Sequence, residues 1–384
     1  MKSPSRSLLA LSSTALALPG IAGADAPPSQ TTASYKFSNY QEDDLGREQV
    51  PFGSLERYDI DVHQFQLVSP LGRNYSLQID GNHESMSGAS PWFTTPGVDG
   101  DPVINMSGAS GIYDERSELA IGARYYLATG SIGGTIGYSE ENDYRARYIS
   151  FNGERTLNTG MTTISVGFSH SADDIFPTDA ELFNRVRNED KRSTSAVLSI
   201  SQVINQVSSV QAALSVTEQS GFLSDPYKLR DVRPDSKTQL AATTSYRRYI
   251  IAADAALHAN YRYYHDDFGI NSHTLDLAWH QNLGDRWRLV PNVRYYSQAA
   301  ADFFTNIDDF SKPLSEFQSS DYRLSAYGAI SGGLSVITRL RDWTATLTAE
   351  RYVAQHKYSA YQVTLPGAAL VQYTRLSLGF DFNF

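Results

Sequence analysis

Residues 373–384 close the chain in unbroken alternation. Gln372, Thr374, Leu376, Leu378, Phe380, Phe382 and Phe384 share one parity, while Tyr373, Arg375, Ser377, Gly379, Asp381 and Asn383 share the other. Strand side chains point to opposite faces with period two, so this segment is a strand with one oily and one wet face. In water the oily face would need a second sheet; in a bilayer it would meet lipid.

The same alternation recurs in segments of about ten residues, the length of a membrane-crossing strand. Tyr75, Leu77 and Ile79 oppose Ser76, Gln78, Asp80 and Asn82. Leu119, Ile121, Ala123, Tyr125 and Leu127 oppose Glu118, Ala120, Gly122, Arg124 and Tyr126. Further runs cover 162–170, 194–204, 210–216, 252–264, 273–283, 287–295, 322–337 and 343–352, and the parity over 58–68 shifts near His63, which suggests a bulge or a mixed face. Short polar turns are expected at 69–74, 128–131, 157–160, 204–207, 282–286 and 339–342. Between them lie long Asp-, Pro-, Gly- and Ser-rich segments at 46–56, 87–114, 172–191, 220–237, 299–320 and 357–370, with tighter ones at 140–144 and 266–271. Short turns on one rim and long loops on the other predict an all-β, transmembrane antiparallel barrel of about sixteen strands. A fixed-period repeat beyond this alternation is missing, which sets aside solenoids and propellers.

The amino end fits the same compartment. Lys2 and Arg6 precede an apolar stretch over 8–18, a break at Pro19 and Gly20, and small residues at Ala22, Gly23 and Ala24. This pattern predicts a secretory signal peptide over 1–24, because cleavage after Ala26 would leave Pro27 first. Residues 25–34 then form a short periplasmic segment, and 35–384 a single barrel domain in the outer membrane of a Gram-negative bacterium. The chain has no cysteine, hence no disulfide framework and no lipid-modified cysteine. With 24 Tyr and 17 Phe it is rich in the aromatic residues that girdle membrane barrels. The net charge of −10 includes Lys2 and Arg6, so the chain beyond the leader carries −12, an acidic balance that argues against nucleic acid. Expected partners are outer-membrane lipid and lipopolysaccharide, the barrel-assembly machinery through Phe384, and a small solute.

Sixteen strands enclose a lumen, whereas about eight are filled by their own side chains. Arg116, Glu118, Arg124, Arg294, Arg375 and Asp381 fall on inward parity and are the candidate lumen or constriction residues. Their mixed charges fit either a transverse field across an open pore or salt-bridged networks that close it. The segment 83–119 carries two Ser-Gly-Ala-Ser boxes, at 87–90 and 107–110. Their small residues suit a loop folded inward, with Ser87, Ser90, Trp92, Ser107 and Ser110 as candidate contacts. The alternative is an extracellular loop with repeated turn chemistry. Arg262, Tyr264, His265 and Tyr296 suggest a stacked patch at the extracellular mouth for an anionic or planar ligand, or else an interface girdle with internal ion pairs.

Signals for chemistry are thin. Asp43–Asp44, Asp173–Asp174, Asp266–Asp267 and Asp308–Asp309, with Asp99 and Asp101, lack EF-hand spacing and read as solvated tips, suited to divalent ions bridging lipopolysaccharide phosphates. His83 and Ser85 face one side of a strand, as a base and nucleophile would, but no positioned acid accompanies them. No catalytic residue, metal site or cofactor is assigned.

Several strings together resemble an uncharacterised family of bacterial outer-membrane proteins classed as a domain of unknown function. They are the two Ser-Gly-Ala-Ser boxes, Asp114-Glu115-Arg116, 222–228 (FLSDPYK), 231–234 (DVRP), 261–269 (YRYYHDDFG), His273-Thr274 and 294–303 (RYYSQAAADF). The resemblance spans most of the chain and implies a secreted barrel, with no established activity to carry over. Such proteins look to be encoded beside thioredoxin-like and flavin-transferring periplasmic proteins, which implies an envelope redox setting. The expected role is a porin-like channel or transporter. A closed-lumen structural, assembly or redox-associated scaffold comes second, and an outer-membrane hydrolase third.

Overall fold

The computed structural model describes residues 26–50, 54–88, 92–106 and 112–384. Its first half holds β1 (Thr32–Glu42), β2 (Asp59–Leu71), β3 (Tyr75–Gly88), β4 (Trp92–Pro96), β5 (Pro102–Met106), β6 (Ile112–Leu127), β7 (Gly130–Glu140), β8 (Tyr144–Leu157), β9 (Thr162–Ile175) and β10 (Glu189–Asn205). The second half holds β11 (Ser208–Gly221), β12 (Asp231–Val232), β13 (Ser236–Ile250), β14 (Ala255–Asp266), β15 (Asn271–Leu283), β16 (Trp287–Gln298), β17 (Gln318–Ser319), β18 (Tyr327–Leu340), β19 (Trp343–Gln355) and β20 (Gln372–Asn383). Sixteen of these close into one barrel; β4 pairs only with β5, and β12 only with β17. Every barrel neighbour is antiparallel, and β1 seals against β20 from Thr32↔Asn383 to Glu42↔Tyr373.

Parity decides what each strand shows to its surroundings. On β20, Leu376 and Leu378 are 51% and 40% exposed on the outer face, while Ser377 between them is 6% exposed. Leu119, Ile121, Ile136, Phe168 and Leu214 continue the exposed apolar belt on other strands. Such a belt is stable only against hydrocarbon. Aromatic residues cluster near its edges: Trp343 lies 6.3 Å from Phe380 at one rim, and Tyr261 OH is 2.7 Å from His273 Nδ1 near the other.

Seven short connections (72–74, 128–129, 158–161, 206–207, 251–254, 284–286 and 341–342) lie on the turn rim. Both chain ends join them, with Phe384 N donating to Thr31 O at 2.9 Å. The long segments all lie on the opposite, loop rim. Two expectations need correction, and near His63 the second of two alternatives, a mixed face, is found. The run over 252–264 begins too early, because Ile251–Ala253 is a 3-10 turn ended by Asp254 at φ 46°. The run over 322–337 likewise includes the 3-10 turn Tyr322–Leu324, and its strand starts at Tyr327. Around His63 there is no bulge: β2 pairs continuously with β1 and β3, and the face is mixed because Ile60 and Val62 point inward with Gln64.

The strand β1 begins at Thr32, three residues before the expected barrel start at 35. Leu378→Arg, placing a guanidinium on the lipid face near mid-strand, is expected to destabilise the folded barrel by about 2–4 kcal/mol. Reversible urea unfolding from phospholipid vesicles measures it.

Candidate functional site: a charge-lined lumen beneath a loop cap

Inward positions of β1–β3, β6–β11 and β20, with tips of two loops, line a cavity of about 1110 Å³. Its wall carries eight basic side chains and eight carboxylates, so the lumen is polar but nearly balanced in charge. Arg116 is the hub of this ionic wall. Its Nη2 lies 2.8 Å from Glu118, its Nη1 3.6 Å from Glu84 and its Nε 3.7 Å from Glu141. Tyr148 OH donates to Glu118 at 2.8 Å. Arg124 donates to Ser131 at 2.6 Å and lies 3.7 Å from Glu154. Lys191 sits 3.3 Å from Asp173 and donates to Tyr144 OH at 3.1 Å. Between these groups, Ser165, Ser169, Ser195 and Ser199 keep the wall short and hydroxylated.

The remaining wall is different. Tyr40, Tyr373, Tyr352, Tyr327 and Tyr296 follow one another around the inner face below the loop rim. Their rings sit 4.5 Å apart for Tyr40–Tyr373, 4.8 Å for Tyr352–Tyr373 and 5.7 Å for Tyr296–Tyr327. Toward the turn rim, Arg247, His258, His280 and Arg288 cross four adjacent strands, with the two imidazoles 3.9 Å apart. Arg247 donates to the Tyr246 and Ala259 carbonyls, and Arg288 to Asn282 Oδ1, so among the described residues neither guanidinium is ion-paired with a carboxylate.

The structure places the six lumen candidates as follows. Arg116, Glu118, Arg124 and Arg375 line the cavity, and Arg375 pairs with Glu350. Asp381 is on the inward face near the turn rim, where Ser34 Oγ donates to it at 2.7 Å. Arg294 lies on the other wall, 2.8 Å from Asp276. Of the inward-loop candidates, Ser90, Ser107 and Ser110 lie outside the described residues. Ser87 is an exposed residue of β3 opposite Asp59, and Trp92 opens the β4–β5 hairpin. That hairpin buries Phe93 and Ile104, the latter in a cluster with Leu45, Val50 and Ala369 of two other loops. Among the mouth candidates, Arg262 stacks 5.2 Å from the Tyr264 ring, and Tyr264 and Tyr296 share its inward parity. His265 has the opposite parity and is 3.0 Å from Asn271, separate from the other three. His83 Nδ1 lies 3.0 Å from Ser117 Oγ on the outer face.

The segments that do enter the lumen are 222–235 and 299–326. Asp225, Tyr227, Lys228, Asp321, Tyr322 and Arg323 reach the cavity. The two loops are tied by the β12–β17 pair and by a shared ionic lock. Arg233 lies 2.7 Å from Asp231 and 2.9 Å from Asp321, and Arg323 lies 2.6 Å from Asp321. Burial works to raise the Asp321 carboxyl, but Arg323 and Arg233 outweigh it and hold it well below the usual carboxylate range. An apolar cluster of Phe268, Ile270, Ala301, Phe304 and Leu324 seats this unit on the 267–270 turn. Gly269, at φ 91°, permits the close approach: a Cβ there would stand 2.4 Å from Asp302 Oδ1. Two Asp-x-Arg strings, 231–233 and 321–323, were the available signal for this lock, since each arginine bonds the aspartate two residues before it.

A closed sixteen-strand barrel with an apolar belt and a charged lumen has the fold of outer-membrane β-barrel proteins. The chain belongs to DUF3570, a family of proteins of unknown function, whose family model matches residues 8–378. No curated protein matches it. Among solved structures, it is similar to a bacterial polysaccharide outer membrane secretin at 8% identity and TM-score 0.51, over 92% of this chain and 98% of that one. It is similar to CdiB from Acinetobacter baumannii at 8% identity and TM-score 0.53, over 92% of this chain and 60% of that one. The siderophore receptor PirA from Pseudomonas aeruginosa aligns at 12% identity and TM-score 0.46, over 92% of this chain and 62% of that one. This chain therefore spans less than two thirds of the CdiB and PirA chains, and the likeness is one of fold.

Asp308, buried in the cap, is pushed up to about 6 by desolvation. Its ordinary value is 3.8, so the native loop holds a proton that the loosened loop releases between these values. Loop stability from this group is full below about pH 4 and is lost as pH rises through about 6. Asp308→Asn should raise hydrogen-exchange protection of residues 299–326 at pH 7.5, with the difference from wild type vanishing near pH 4.

Proposed function

We propose that this protein is an outer-membrane channel for small polar solutes, with a preference for anionic ones. The observation that carries this reading is the cavity of about 1110 Å³ whose walls inside the barrel are rich in charged and hydroxylated side chains, with a few apolar ones such as Ile60 and Val62, while the apolar belt faces out. Water and hydrated solutes are favoured there, and apolar ones are not. Balanced charges on the ionic wall leave little net bias. The opposite wall adds it: Arg262, Arg294, His258, His280, Arg247 and Arg288 descend from loop rim to turn rim, and among the described residues only Arg294 of its arginines is ion-paired within that wall, to Asp276. The field of such a track raises the local concentration of anions.

The locked loops 222–235 and 299–326 stand in this path as a constriction. In the cell, Phe384 just after the last strand serves recognition by the barrel-assembly machinery, and the apolar belt contacts outer-membrane lipid and lipopolysaccharide. The balance of charges also suits the closed-lumen scaffold, so conductance separates the two. Purified folded protein in planar bilayers should give discrete conductance steps and admit small sugars into liposomes. Arg323→Ser with Tyr322→Ala should enlarge the steps. Arg247→Gln with Arg288→Gln should move the reversal potential in a KCl gradient toward cation selectivity. Absence of steps together with exclusion of sugars would establish the scaffold instead.

A further inference from the structure

Four basic side chains gather on the inner face of the second wall, near the turn rim. Arg247 in β13 stands directly opposite His258 in β14. His258 pairs with Ala278, and Ala256 with His280, so the two histidines are diagonal neighbours on one face of β14 and β15, with ring centres 3.9 Å apart. Arg288 in β16 faces Asn282, the next inward position after His280. Leu275 and Leu277 are exposed on the lipid face of β15, and the opposite parity turns His280 toward the lumen.

The bonding of these groups sets them apart. Of the eight histidines, His63, His83, His170, His265, His273 and His356 each bond a protein oxygen through a ring nitrogen. Among the described residues, no protein group bonds a ring nitrogen of His258 or His280. The guanidinia are similarly underused. Arg247 bonds through Nη1 alone, to two carbonyls, and Arg288 through Nε alone, to Asn282 Oδ1. Arg116 and Arg124 of the ionic wall are instead paired with carboxylates. Asp254 is linked to the group only through Asn282, whose Nδ2 donates to it at 2.8 Å, and it already accepts from Tyr249 OH at 2.6 Å.

Unused donors on four basic side chains, with no carboxylate against them, select an anion. A metal ion between the imidazoles would face two guanidinia, which repel it. A guanidinium fork matches paired oxygens, and an imidazole supplies one N–H when neutral and two when charged. Strands about 4.8 Å apart put the two arginine backbones about 14 Å from each other, a gap their extended side chains narrow around an ion seated on the imidazole pair. A tetrahedral dianion has oxygens to meet donors from both sides and from the wall between them, whereas a planar carboxylate meets one fork.

We propose that Arg247, His258, His280 and Arg288 bind a phosphate group, free or as a monoester, at the turn-rim end of the lumen. The assignment rests on the anion-preferring lumen proposed above and names the anion, although binding itself needs no conduction.

Calorimetric titration of the full-length folded protein in detergent with inorganic phosphate at pH 7.5 should show saturable binding. Arg247→Gln with Arg288→Gln, and separately His258→Gln with His280→Gln, should each weaken it at least about tenfold. Arg248→Gln makes the same kind of charge change at an exposed position on the outward face and should leave binding unchanged. Should a double variant fail to fold, as judged by heat-modifiable gel mobility, His280→Gln alone should weaken binding in the same direction. Tighter binding of the free ion than of phenyl phosphate assigns the site to inorganic phosphate, and the reverse assigns it to a phosphomonoester; either supports the site. Phosphate binding by a barrel that gives no conductance steps defeats the channel and keeps the site. Conductance steps without phosphate binding keep the channel and overturn the site. Equal phosphate affinity in wild type and the arginine double variant, or Zn²⁺ binding at His258 and His280 without phosphate binding, also overturns it.

Discussion

The seam between β1 and β20 is the constraint on which everything else rests. Hydrocarbon offers no hydrogen bonds, so an open edge strand would leave a row of amides and carbonyls unpaired. Pairing of residues 32–42 with 373–383 removes that edge. The seam is also keyed from inside, where Ser38 and Ser377 hydroxyls lie 2.8 Å apart and Thr32 donates to Asn383 at 2.8 Å. A slip by one residue would turn Phe380 and Phe382 into the lumen and Arg375 and Asp381 into lipid. Register at the seam therefore decides which chemistry lines the interior around the whole barrel.

With parity fixed, the lumen acquires two unlike walls. The ionic wall is built from strands on which charged residues alternate with serine and glycine, so guanidinia and carboxylates reach one another between short neighbours. The facing wall is built from tyrosines, which give stiff surface with a hydroxyl at the tip, followed by basic groups of which some bond only carbonyls or amides. A network such as that of Arg116 has no use for further anions. Arg247 and Arg288 do, because a carbonyl or amide oxygen leaves their charge uncancelled. In the channel we propose, selective interaction with a solute would therefore fall to the second wall, while the first supplies rigidity.

Local pattern made most of the barrel legible. Period-two alternation and turn composition gave the strands, both rims and the inward parity of Arg116, Glu118, Arg124, Arg294, Arg375 and Asp381. Where alternation ran into a 3-10 turn, as at 251–253 and 322–324, boundaries slipped, because one helical turn hardly disturbs a periodic pattern. The inward loops were illegible for another reason. Arg233 and Asp321 are 88 residues apart, and nothing local to either announces the other. The Ser-Gly-Ala-Ser boxes drew attention through composition, whereas the lumen is reached by Asp225, Tyr227, Tyr322 and Arg323, whose strings look like ordinary charged loop. His258 and His280 are likewise brought together only by the β14–β15 hairpin.

The cap's contacts also define how it can move. Leu223 of one inward loop packs beside Phe304 and Leu324 of the other, on the turn 267–270. The two loops therefore form one unit with an apolar seat on the β14–β15 side. At its base Phe222 packs against Tyr144, Ala146 and Ile175, and its further contacts with the remaining rim include polar ones: Tyr227 with Asp143, and the Tyr322 ring 5.6 Å from the Arg57 guanidinium, itself 2.7 Å from Glu42. Separating polar partners into a hydrated lumen exchanges their bonds for bonds to water and costs little net energy. Exposing the apolar seat has no such compensation. Any opening therefore breaks the polar contacts first and swings about the apolar ones, the seat on 267–270 and the loop base at Phe222.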